Sequence, residues 1–140
     1  MSMTAREQTR EEGWTRVCAR ADILPNTGVC CLVGGKQVAV FRLVDGEGER
    51  LHAISNFDPF SRANVLSRGI VGDRGGRAKV ASPIFKQSFC LETGECLDDP
   101  AVSVAAYPVR EIDGFVEVLE PLTRTLRNGN TGLLSEVQTY

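Results

Sequence analysis

Apolar and polar residues alternate along most of the chain, with the period of two that puts successive side chains on opposite faces of a β-strand. WTRVCAR (14–20) reads as a first strand. GVCCLVG (28–34) and QVAVFRLV (37–44) read as a hairpin joined at Gly34-Gly35, where two glycines supply the positive φ a tight turn needs. In the second arm Val38 and Val40 face one way and Ala39, Phe41 and Leu43 the other. Both faces are apolar, so this strand is expected to be covered on both sides. DGEGE (45–49) is a turn and RLHAIS (50–55) the next strand.

The alternation lapses after Phe60, where SRANVLSRG has room for one helical turn before Gly69. It resumes in IVGDRGGRAKVAS (70–82), a hairpin with its turn at Asp73-Arg74-Gly75-Gly76. SFCLE (88–92), a Thr93-Gly94 turn and Cys96-Leu97 make a smaller hairpin. SVAAYPVRE (103–111), an Ile-Asp-Gly turn (112–114) and FVEVLE (115–120) make the last pair. Pro108 cannot donate to a ladder, which puts its strand at an edge or at a bulge. No long stretch has a helical period, so the fold class is all-β, a sandwich or barrel of short strands. Residues 121–140 (PLTRTLRNGNTGLLSEVQTY) read as a C-terminal tail with an Asn-Gly-Asn turn cluster and a short helix at its end.

Composition narrows the function. At 140 residues the chain fits one domain with a real core, and the hydrophobic fraction of 42% is ordinary. A formal net charge of −2 gives no electrostatic case for nucleic acid or an acidic membrane surface. No apolar run is long enough to span a bilayer. The start, MSMTAREQTREEG (1–13), has no apolar core of a secretory signal and is expected to be a flexible arm.

The five cysteines, Cys18, Cys30, Cys31, Cys90 and Cys96, are odd in number and contain no C-x-x-C. They point to reduced, mostly packed thiols in a cytoplasm rather than a disulfide frame or zinc site. Adjacent Cys30 and Cys31 face opposite sides of a strand. His52 is the single histidine and reads as a ring at the edge of the core, not a catalytic base. Gly72-Asp73-Arg74-Gly75-Gly76 is followed by a strand, not the helix N-terminus a phosphate cradle needs. Asp98, Asp99 and Asp113 lack calcium-loop spacing. Ser82 and Ser88 have no identifiable base and no nucleophile elbow.

Two turn-like segments remain, ISNFDPF and SPIFKQSF. With the frame that follows, CLETGECLDDPAVSVAAYPVREIDGFVEV, they resemble the two cluster-binding loops of a Rieske ferredoxin domain. In that family the first loop carries Cys-x-His. The second carries Cys-x-x-His, then an aromatic, a Thr-Gly turn and a strand ending in Tyr-Pro-Val. In this chain Asp58 stands at the first Cys position and Phe60 at its His; Ser82 stands at the second Cys position and Phe85 at its His. Phe89, Thr93-Gly94 and Tyr107-Pro108-Val109 keep the surrounding frame, and the segment from Phe60 to Ser82 is longer than usual. The resemblance covers residues 14–120 and implies an antiparallel Rieske-like β-sandwich or barrel with a small loop subdomain.

A Rieske centre takes two Cys on one iron and two His on the other. Phe has no donor atom, and one histidine cannot supply two, so the resemblance is to a domain without its cluster ligands. Such domains are similar to the small-subunit family of the cytoplasmic NAD(P)H-dependent nitrite reductases. ILPNTGVCCLVGGKQVAVFR, AISNFDPFSRANVLSRGIVGDRGG and KVASPIFKQSF carry that likeness. It implies a non-catalytic chain without a cofactor, whose partner is a large subunit. That subunit holds FAD, sirohaem and an iron–sulfur cluster and reduces nitrite to ammonia. Asp58, Pro59, Phe60, Pro83, Ile84 and Phe85 are the candidate contacts to it, expected together at one tip. In the opposing reading the two Phe rings fill the space between the loops as core, and another face docks. A free-standing β-domain adaptor and a Rieske-type electron carrier are the alternative functions.

Overall fold

The computed structural model describes residues 13–120 in full, together with the backbone of 123–125 and 131–133. Three strands form one antiparallel sheet: β1 (Trp14–Ala19), β12 (Phe115–Leu119) and β11 (Val109–Ile112), with β12 in the centre. A second sheet runs β10 (Ala106–Tyr107), β4 (Gly48–Ser55), β3 (Lys36–Asp45), β2 (Thr27–Val33). A smaller one holds β7 (Ile70–Arg74), β8 (Arg77–Ala81) and β9 (Ser88–Cys90). The short pair β5 (Phe57–Asp58) and β6 (Ala63–Asn64) precedes a single 3₁₀ turn, Leu66–Arg68, which ends at Gly69.

β3 is the middle layer, as its two apolar faces demand. Val38 and Val40 pack with Val116, Val118, Ala105 and Tyr107 of the larger sandwich. Ala39, Phe41 and Leu43 pack on the other side with Leu66, Val80, Phe89 and Leu91. One strand thereby serves two cores and ties the small subdomain to the sandwich. The β2–β3 turn is Gly34-Gly35, both at positive φ, with Val33 opposite Lys36. The same two-residue pattern closes β7–β8 at Gly75-Gly76 and β11–β12 at Asp113-Gly114.

The strand expected at 103–111 is split. Ala106–Tyr107 pairs with β4, whereas Val109–Ile112 pairs with β12, so the chain changes sheet at Pro108. Both short strands are edges, which a residue without an N–H requires. On the outer face of the first sheet, Glu117 lies in register between Arg16 and Arg110. It takes hydrogen bonds from both and is buried beneath them.

β13 (Thr123–Thr125) pairs antiparallel with β14 (Thr131–Leu133), Thr123 opposite Leu133. The helix expected at the chain end and residues 1–12 of the expected arm (1–13) lie outside the described residues. Among the described residues no helix is long and apolar enough to cross a membrane.

Candidate functional site

The two loops are built alike. In the first, the Arg62 N–H donates to the Asp58 carbonyl at 2.7 Å; in the second, the Lys86 N–H donates to the Ser82 carbonyl at 3.1 Å. Each turn ends on a basic residue in the left-handed region, Arg62 at φ 60° and Lys86 at φ 66°. Each is also braced from its first residue. The Asp58 Oδ1 accepts from the Phe60 N–H at 2.9 Å, and the Ser82 Oγ from the Ile84 N–H at 3.3 Å. These are the short-range side-chain turns that Asp and Ser favour.

The loops are joined through those same first residues. Ser82 Oγ donates to Asp58 Oδ2 at 2.6 Å, and Ser61 Oγ donates to the same oxygen at 2.8 Å. Asp58 and Ser82 are wholly buried, at 0% and 1% exposure. Asp58 is thus enclosed between the loops rather than presented at the surface. Its carboxyl is a structural clamp.

The two phenylalanines part company. Phe60 is half-buried against the small core, its ring 6.1 Å from that of Phe89. Phe85 is 58% exposed, beside exposed Ile84 and Pro83. The paired rings expected to fill the gap between the loops do not do so together. The buried clamp bridges the loops, and Phe60 alone extends the core.

Second-layer contacts hold this arrangement in place. Asn56, just ahead of the first loop, is buried and fully engaged. Its N–H donates to Gln37 O, its carbonyl accepts from Leu66 N–H, its Nδ2 donates to Gln37 Oε1 at 3.0 Å, and its Oδ1 accepts from Ser67 N–H at 2.7 Å. The second loop is anchored by Asp98. Its Oδ2 accepts from the Ser88 N–H at 2.7 Å and its Oδ1 pairs with Arg74 at 3.0 Å. That N–H bond, and then Arg74, hold the Asp98 carboxyl below the usual carboxylate range. Asp99 accepts from the Ala101 N–H in a turn, and Asp113 is a turn residue at φ 53°. Ser88 is buried, taking a bond from Lys79 Nζ at 3.1 Å. His52 is half-buried in β4 opposite Phe41, and burial pushes its imidazole below the ordinary value. Sequence reasoning missed the Asp58–Ser82 bond and the two left-handed basic residues. The outward signals of the repeat are a Pro one residue after each clamp residue and a basic residue four after it.

These residues do not fit a Rieske centre. Asp58 and Ser82 offer oxygens already engaged with one another, Phe60 and Phe85 offer no donor, and Phe85 is turned to solvent. Among the described residues no cluster of His, Cys, Asp or Glu is arranged to hold a metal ion. A cavity of about 390 Å³ lies elsewhere, between the ends of the β3–β4 and β7–β8 hairpins. Its charged groups are used within the fold: Arg50 pairs with Asp45, and Asp73 accepts from Gly76 N–H.

Comparison with known proteins bears on this geometry. The Rieske-like [2Fe-2S] domain matches residues 13–119. The nitrite reductase (NADH) small subunit of Salmonella typhimurium is 48% identical over 105 residues, covering 75% of this chain and 95% of that one. A segment of the nitrite reductase [NAD(P)H] large subunit of Klebsiella oxytoca is 38% identical over 105 residues, which is 11% of that protein. The crystal structure of a chain assigned as an NADH-dependent nitrite reductase small subunit from Mycobacterium tuberculosis superposes with a TM-score of 0.71. It is 54% identical, covering 76% of this chain and 94% of that one. A core built on β3, two braced loops without ligands and near end-to-end coverage of the two small subunits agree: the chain belongs to the Rieske-like [2Fe-2S] domain family and, within it, to the nitrite reductase small subunits.

Proposed function

We propose that this chain is the non-catalytic small subunit of an NAD(P)H-dependent nitrite reductase, docking on a large subunit through its paired loops. One observation carries the reading: in the Klebsiella oxytoca large subunit, a domain similar to this one is part of the same polypeptide. A domain that is covalently joined to the enzyme in one protein, and separate in another of high identity to this chain, is a component of one assembly. The large subunit supplies FAD, sirohaem and an iron–sulfur cluster, and carries the reduction of nitrite to ammonia. This chain contributes no electron-transfer centre, because its loops have exchanged ligands for a hydrogen-bonded clamp.

The docking surface is Pro83, Ile84 and Phe85, rimmed by Pro59, Arg62 and Lys86. An exposed apolar triad with basic neighbours is suited to seat in a partner's pocket, and aromatic anchors of this kind dominate interface energies. Phe60, on the first loop, packs inward against the small core instead. The five free thiols fit a reducing compartment, the cytoplasm.

The test is to purify the tagged chain from its own cell extract and assay the eluate for nitrite-dependent NAD(P)H oxidation. A co-purifying large chain with flavin and sirohaem absorption, and activity lost when this chain is deleted and restored by its return, is the expected outcome. A chain that purifies alone, with nitrite reduction unaffected by its deletion, overturns the reading.

A further inference from the structure

Cys18 of β1 and Cys31 of β2 come from different sheets. Cys18 lies opposite Val116, just past a bulge at Val17, and Cys31 lies opposite Val38. Directly opposed residues share a face, and Val116 and Val38 belong to one apolar cluster. Both thiols therefore enter the same layer between the sheets, where each is half-buried against that cluster. β1 and β2 lie against each other there, and the two thiols are close enough for each to perturb the other's titration. The effect is lopsided. The neighbouring Cys31 thiol draws the Cys18 thiol below its ordinary value, while the Cys18 thiol, and then burial, push Cys31 well up. Cys18 is thus the better nucleophile and Cys31 the proton donor beside it.

The other cysteines sit apart. Cys30 faces the opposite side of β2, exposed, in contact with Gln37 and Asn56. Cys90 and Cys96 are buried, Cys96 in the core of the small subdomain.

We propose that Cys18 and Cys31 form a reversible disulfide that staples the two sheets together when the chain meets a small disulfide oxidant. The Cys18 thiolate attacks one sulfur of the oxidant, breaking its S–S bond and releasing one thiol. Cys31, on losing its proton, then attacks the Cys18 sulfur of the mixed disulfide and releases the second thiol. One S–S bond is broken and one is formed; two electrons pass to the oxidant, which leaves as two thiols. The product closes the segment from β1 to β2, which includes buried Ile23, and reduces the freedom of the unfolded chain. β1 then cannot peel from the sandwich, so oxidation changes the kinetic durability of the subunit without touching the paired loops.

The full chain is treated with oxidised glutathione and examined by thiol titration, intact mass and peptide mapping without reductant. The expected result is loss of two of its five thiols, loss of two hydrogens in mass, and one peptide pair linked through Cys18 and Cys31. The oxidised chain melts several degrees higher, and dithiothreitol reverses the shift. Cys18→Ser abolishes both effects, and Cys30→Ser leaves them intact. The peptide map on the unsubstituted chain decides the matter even if Cys18→Ser does not fold. All thiols remaining free, glutathione retained at Cys18 with no linked peptide, or a link through Cys30 would each overturn the proposal.

Discussion

Ser82 Oγ donates to Asp58 Oδ2 at 2.6 Å inside the protein, so two loops far apart in sequence are fastened by one buried hydrogen bond. The resemblance assigns these two positions to cluster cysteines. The clamp stands where a metal crosslink would, and it is a weaker crosslink with a definite energy. A hydrogen bond contributes about 0.5–1.5 kcal/mol net, and a buried partner left unpaired costs about 1–3 kcal/mol. Ser82→Ala should therefore lower stability by about that amount in urea denaturation, and Asp58→Ala by more, since Phe60 N–H and Ser61 Oγ also lose their acceptor. An unchanged midpoint for Ser82→Ala would show that the loops are held by something else.

The frame behind the second loop depends on Gly94. Its φ is 82°, and an added Cβ would come within 2.0 Å of the Val104 carbonyl oxygen. Gly75 has a φ of 59° but open space around it. The left-handed conformation alone costs an ordinary residue about 1–2 kcal/mol. Gly75→Ala should cost about that, whereas Gly94→Ala should cost substantially more or prevent folding. Comparable denaturation midpoints for the two variants would contradict this packing.

His52 gives the domain a pH dependence whose sign is fixed. Burial, with the nearby Arg50 charge second, lowers its folded value from the ordinary 6.5. As pH falls through 6.5 the unfolded chain binds the proton first. Stability therefore declines from there down to the folded value and levels off below it. His52→Asn should remove this component from a plot of denaturation midpoint against pH. A wild-type curve that rises on acidification across that window would refute the burial of the neutral ring.

If the loops keep the register of cluster-binding ones, restoring the donors should restore the chemistry. The variant D58C/F60H/S82C/F85H should take up iron and sulfide on reconstitution and develop visible absorption, while the unsubstituted chain stays colourless. A quadruple variant that folds, judged by its circular dichroism, yet binds no iron would show that these positions do not correspond to cluster ligands.

Much of this was legible before the structure. The Gly34-Gly35 turn, the double-faced strand at 37–44 and the edge position of the strand at Pro108 follow from period, φ requirements and the missing N–H. These are local properties, which a sequence carries openly. The placement of the phenylalanines was not legible. Phe60 and Phe85 have identical chemistry, yet Phe60 turns inward against Phe89, which lies on another element, and Phe85 turns out. Nor could Asp58 be known to be buried, because its partner lies on another loop. The pairing of Cys18 with Cys31 was hidden for the same reason: it arises between sheets.

The central claim is that the outward loop face, not the inward one, meets the large subunit. The most direct measurement is the affinity of the purified large subunit for the chain and for Ile84→Ala/Phe85→Ala, alongside the melting temperature of each. Both side chains are exposed, so the double variant should fold with an unchanged melting temperature while binding weakens at least about tenfold, the loss expected of an interface anchor. Equal affinity in a folded double variant would place the docking surface elsewhere and contradict the account.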